Sequence, residues 1–129
     1  MAQIKIYGHA PFVQEHRQTI SDAIHAASMQ ALGLPESKRF HRFFALDAQD
    51  FIHPADRSGQ YLILEIHLFQ GRRPETLRQY IRHLQMQLGE AVKLSPNDLE
   101  VTLVEMPAAH WGIRGQLGDE LQLSYEVKK

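Results

Sequence analysis

Cysteine is absent from this 129-residue chain, which removes disulfides, thiolate metal sites and thiol nucleophiles together. A surplus of charge is lacking too. Fourteen Lys and Arg stand against fifteen Asp and Glu, a formal net charge of −1, so no basic excess is available to hold a polyanion. Nucleic acid is therefore not expected as a partner. No run approaches the roughly 20 apolar residues of a membrane span, and Met1-Ala2-Gln3-Ile4-Lys5-Ile6 lacks the apolar core of a signal peptide. A cytoplasmic chain without membrane contact is the expectation. No Gly-x-Ser-x-Gly supports a serine hydrolase. The eight histidines, at 9, 16, 25, 41, 53, 67, 83 and 110, include no His-x-His and no pair four apart on a helix. Neither a metal nor a cofactor is expected.

What is present reads as β-α-β twice over. Residues 3–7 alternate, with Ile4 and Ile6 on one face, which is strand period. Residues 14–32 carry Ile20, Ile24, Ala27 and Ala31 along one helical face, and Gly33-Leu34-Pro35 ends it. Residues 39–46 are aromatic-rich and extended, and a polar loop over 47–60 follows. Residues 61–69 (YLILEIHLF) are apolar on both faces and predict a central strand. Pro74 then suits a first helical turn, and Leu77, Tyr80, Ile81, Leu84, Leu88 and Ala91 share a second helical face. Ser95-Pro96-Asn97-Asp98 is a turn before a strand over 99–105. A shift of about 61 residues lays Leu34-Pro35-Glu36 on Ser95-Pro96-Asn97, and Phe40, Arg42 and Phe44 on Val101, Leu103 and Glu105.

The expected architecture is α+β in one domain. A first β-α-β unit spans about 2–46, a second about 61–106, and a loop with a short strand fills 107–129. Four strands form one sheet with both helices on one face. The other face is left open, which oligomerisation would cover. In the last segment Leu121, Leu123, Tyr125 and Val127 alternate with polar residues, a strand that pairing with a neighbouring subunit would protect.

Several side chains stand out for chemistry. Arg72 and Arg73 sit where a strand meets a helix N-terminus, a place that favours anions; the bland alternative is two solvated loop arginines. Arg42 shares a strand face with Phe40 and Phe44, as a pocket wall or as part of an interface. His41 faces the other way and reads as a packed histidine. Glu65 and His67 share a face of an otherwise apolar strand, where a buried acid needs a partner. Gly112-x-x-Gly115-x-x-Gly118 joins no strand to a helix, so a nucleotide loop is rejected.

Gly33-Leu34-Pro35-Glu36, Gly71-Arg72 after the third strand, Ser95-Pro96-Asn97-Asp98-Leu99, and Trp111 ahead of a glycine-containing loop occur in a telling order. Over nearly the whole chain this resembles the tautomerase superfamily, and within it the malonate semialdehyde decarboxylase-like branch. The resemblance implies a homotrimer of paired β-α-β units with an active site near each N-terminus. There an N-terminal proline, exposed by loss of the initiator methionine, moves a proton, and arginines after the third strand hold a substrate carboxylate.

Residue 2 of this chain is Ala2. Methionine before alanine is removable, and the resulting primary amine would titrate near 7.7–8.0, about ten per cent neutral at pH 7. An apolar pocket and a nearby arginine would lower that value. Ser37-Lys38 stands where the branch carries an aspartate, which argues against decarboxylase and hydratase activity. Arg73 matches one family arginine, and Arg72 substitutes for the other, whose place falls on Gly71. By the same resemblance Trp111 and Arg114 sit at the pocket mouth, with Phe44 and Arg42 shaping the wall. The implied function is binding of a small keto or enol carboxylate, with weak keto–enol isomerisation by the Ala2 amine. The alternative is a non-catalytic protein of the same fold that binds a ligand or a protein.

Overall fold

Alternation along the first strand sets the two layers. In the computed structural model, which describes residues 2–123, 126 and 127, β1 (Ala2–His9) buries Ala2, Ile4 and Ile6 and turns Gln3, Lys5 and Tyr7 to the opposite face. The elements that follow are α1 (Ala10–Leu32), β2 (His41–Leu46), β3 (Leu62–Phe69), α2 (Pro74–Ala91) and β4 (Leu99–Met106). A two-residue pair, β5 (Gly112–Ile113) and β6 (Gln116–Leu117), comes last. The main sheet runs β2-β1-β3-β4. β1 is parallel to β2, β3 is parallel to β4, and the two units meet through antiparallel β1 and β3.

Both helices bury their apolar faces on one side of this sheet. Ile20, Ile24 and Ala27 of α1 and Tyr80, Leu84 and Leu88 of α2 pack with Leu62, Leu64, Ile66 and Leu68. Each such side chain, fully buried, contributes about 1.5–3 kcal/mol. Between the helices Ser28 Oγ donates to the Ile24 carbonyl at 2.8 Å and accepts from the Tyr80 hydroxyl at 2.8 Å. Burial pushes the Tyr80 phenol up to about 12, which keeps it a donor at neutral pH.

The structure moves some expected boundaries. α1 begins at Ala10, earlier than its apolar periodicity, because Pro11 is preset for a first helical turn. Gly33 closes it in the left-handed region, φ 69°, and donates to the Met29 carbonyl at 3.1 Å. The loop over 47–60 is more than polar surface. Phe51 is buried and stacks on Tyr61 at 5.3 Å, while buried Asp98 accepts from Ser58 N–H at 2.8 Å and Ser58 Oγ at 2.5 Å. Of the strand expected near the C-terminus, Leu121 and Leu123 are not in a strand, and Ser124 and Tyr125 lie outside the described residues. Ahead of that segment the chain forms the β5–β6 hairpin, whose two turn residues, Arg114 (φ 52°) and Gly115 (φ 78°), both take positive φ.

His41 is packed, as its strand face implies. Its Nδ1 lies 2.8 Å from Ser21 Oγ, and burial, then the Arg39 and His25 charges, lower it to about 4 against the pull of Asp22. The unfolded chain protonates this imidazole near 6.5 while the folded chain resists until about 4. Its contribution to stability is therefore whole above 6.5 and falls as the pH drops toward 4. NMR titration of the His41 ring should give a midpoint near 4, with denaturant stability declining over the same window; a midpoint near 6.5 would contradict the burial.

Candidate functional site

The central register gathers one end of the sheet. Ala2 lies opposite Leu68 across the antiparallel pair, and Phe69 lies beside Met106 across the parallel one. The start of β1, the ends of β3 and β4, and the first turn of α2 thus share one edge, tied by the Gln70 N–H to the Met106 carbonyl at 2.8 Å. The segment after β4 folds back over it. Trp111 is buried with its ring edge-on to Phe69 at 5.0 Å, and the Gly118 N–H donates to the Trp111 carbonyl at 2.8 Å. Position 118 has no room for a side chain, since a Cβ there would run into the Ala108 carbonyl and touch Phe69 and Trp111.

Three adjoining hollows open at this edge, and Gln3 lines all of them. The first, about 200 Å³, is walled by Phe40, Trp111, Ile113 and Arg114. Another, about 240 Å³, lies against His67, Met106, His110, Trp111 and Gly112. The last, about 370 Å³, is bounded by Arg39, Phe40, His41 and Arg42. Aromatic and aliphatic surface thus sits beside several cationic side chains, an arrangement suited to a small anion with an apolar body.

The expected site residues divide. Trp111 and Arg114 meet in the 200 Å³ cleft, and Arg42 borders the neighbouring hollow. Phe44 is elsewhere: it stacks on Tyr7 at 4.7 Å, and Phe40 takes the place expected for it. Both aromatics share a strand face, but four residues of extended chain set them about 13 Å apart. Arg72 and Arg73 differ in burial. Arg72 is buried, with Nη1 3.5 Å from the Phe69 carbonyl and its charge opposing the rise of the Tyr80 phenol. Arg73 is exposed and caps α2 ahead of Pro74. The Ala2 side chain packs into the core beside Ile4, at the strand end nearest these groups, while Met1 lies outside the described residues.

On the open face Arg42, Lys5, Glu65 and Thr102 form one cross-strand row. The Glu65 carboxylate also lies near the Tyr7 hydroxyl and raises that phenol above its ordinary value. His67 faces the hollow that holds His110. Gln3 and Ile113 join the hollows without a signal of their own in the sequence motifs, although the alternation that sends Ile4 inward already sends Gln3 outward at the chain start. Among the described residues no three His, Asp or Glu side chains converge for a metal ion, and no helix is long and apolar enough to cross a membrane.

A family model described as tautomerase enzyme matches residues 38–114, more than half of the chain. The chain belongs to this tautomerase family. The matched stretch contains Phe40, Arg72, Arg73, Trp111 and Arg114 but not Ala2. Solved structures share the fold. A malonate semialdehyde decarboxylase superposes with a TM-score of 0.78 at 22% identity, over 88% of this chain and 92% of that one. An FG41 malonate semialdehyde decarboxylase inhibited by 3-bromopropiolate gives 0.70 at 27% identity, over 84% and 86%. A fused 4-OT described as an asymmetric trimer gives 0.81 at 16% identity, over 92% and 97%.

Gly118 is the test of how Trp111 is seated. Gly118→Ala should lower the stability of the chain by about 1–3 kcal/mol, because the added methyl group meets backbone as well as side chains. Denaturant unfolding measures the loss, and emission from the single tryptophan should shift to the red. An unchanged spectrum and midpoint would mean that the C-terminal segment does not hold the indole.

Proposed function

We propose that this edge of the sheet binds a small keto or enol carboxylate, and that the Ala2 amine, once Met1 is removed, transfers a proton to or from it. The observation that carries the reading is the register of β1 on β3. It brings the start of the chain to the strand end from which Arg73 and the α2 N-terminus emerge. A guanidinium and the open N–H groups of a helix start are suited to a carboxylate. Arg114 and Arg42 add positive charge at the rim, and the Trp111 cleft takes a flat or branched apolar body. A neutral amine accepts the proton and, protonated, returns it at the neighbouring atom, which is all that keto–enol exchange requires. The open sheet face, with Phe40, Phe44 and Val104 exposed, supports assembly as a homotrimer.

A non-catalytic protein of the same fold is the second reading, favoured by Ala2 in place of proline and by Lys38 in place of an acid. Intact mass comes first: the chain should be one methionine residue lighter than the full sequence. Ketonisation of a conjugated enol carboxylate should then be slow in the native protein and rise with pH through about 7–8 as the amine loses its proton. Ala2→Pro should speed it about tenfold by fixing the nitrogen. Arg73→Ala should raise KM about tenfold. Activity that is absent in the native protein and emerges only in Ala2→Pro would select the second reading. Indifference to Arg73→Ala would remove that residue from the carboxylate, and sedimentation as a monomer would overturn the trimer.

A further inference from the structure

Trp111 carries a donor that the fold leaves unanswered. The indole is 8% exposed, yet its Nε1–H, fully removed from solvent, has no hydrogen-bond partner among the described residues. A buried unsatisfied donor is unfavourable, and a phenylalanine would fill the same apolar seat against Phe69 without that penalty. The ring forms the wall shared by two hollows, one faced by Phe40 and Ile113, the other by His67 and His110. Gln3 borders both, but its amide does not close a bond to the indole.

We infer that the Trp111 Nε1–H donates to an oxygen of the bound ligand, and that the cleft selects keto acids with a branched or flat apolar body. This rests on the carboxylate reading above and adds to it a residue that determines specificity. The apolar body lies against Phe40, Ile113 and the indole face, and the keto or enolate oxygen takes the Nε1 proton. A hydrogen bond of this kind strengthens as the oxygen gains negative charge, so the same donor favours the enolate over the ketone. A space of about 200 Å³ admits a body of four or five carbons and leaves a short acid without apolar substituent poorly held.

The test compares α-ketoisocaproate with isocaproate, which has the same body and carboxylate but no keto oxygen. Calorimetry on the native protein should show the keto acid binding about tenfold more tightly, and Trp111→Phe should bring that ratio to about one while leaving isocaproate unchanged. The single tryptophan gives a second readout that needs no variant. The indole N–H resonance should move downfield on titration with α-ketoisocaproate and stay in place with isocaproate, and this measurement stands alone if Trp111→Phe fails to fold. An equal ratio in native and Trp111→Phe protein, or an indole resonance that ignores the keto acid, would overturn the inference while leaving the carboxylate site in place; a buried water would then be the partner. Binding of neither acid would overturn both together.

Discussion

The antiparallel pairing of β1 with β3 is the constraint on which the rest depends. Each β-α-β unit can pair its own two strands in parallel, but a parallel pair alone has no second layer large enough to bury one helix face. Joining the units through β1 and β3 places Ile4 and Ile6 next to Leu64 and Ile66 in the middle of the sheet, under both helices. A slip of one residue would turn Gln3, Lys5 and Tyr7 toward α1 and expose the isoleucines, so the register is held by the core itself. The same register fixes that Ala2 ends beside Leu68. The place where the chain starts and the place where α2 starts are therefore neighbours because of packing, before any chemistry is considered.

Several polar groups of the helix layer and the loops beside it are answered within the chain. Ser28 and Tyr80 satisfy each other, the His25 Nε2 lies 2.9 Å from the Glu36 carbonyl, and Asp98 is met by Ser58. Each bond joins segments distant in sequence, which ties loops and helices to one arrangement. At the edge of the sheet the pattern changes. Cationic side chains are gathered beside aromatic surface, and the Trp111 N–H is left without an acceptor.

Element order and the core faces were legible in the sequence because period two and period 3.6 differ sharply in residues 3–7, 61–69 and 77–91. The start of α1 was less so. Its first turn is Ala10-Pro11-Phe12, where no polar cap marks the entry and proline supplies the only signal. The site was legible by type but not by partner. Strand alternation tells which face Phe40 and Phe44 share and says nothing of distance along it, so it does not separate the aromatic beside Trp111 and Arg114 from the one beside Tyr7. The Gly112–Gly118 spacing resolved into two unrelated needs, a positive φ at Gly115 and bare contact at Gly118, which spacing alone does not separate.

The fate of the arginine doublet follows from backbone geometry. Gly71, at φ 130°, turns the chain out of β3, and Arg73 is extended, with ψ 148°, before α2 begins. Arg72 is buried and Arg73 exposed, so the two guanidiniums leave the turn in different directions. One goes inward, where the carbonyl of Phe69 and the field of the Tyr80 phenol receive it. Arg73 is left exposed at the start of α2. Two adjacent arginines therefore stand in different surroundings, one buried and one exposed.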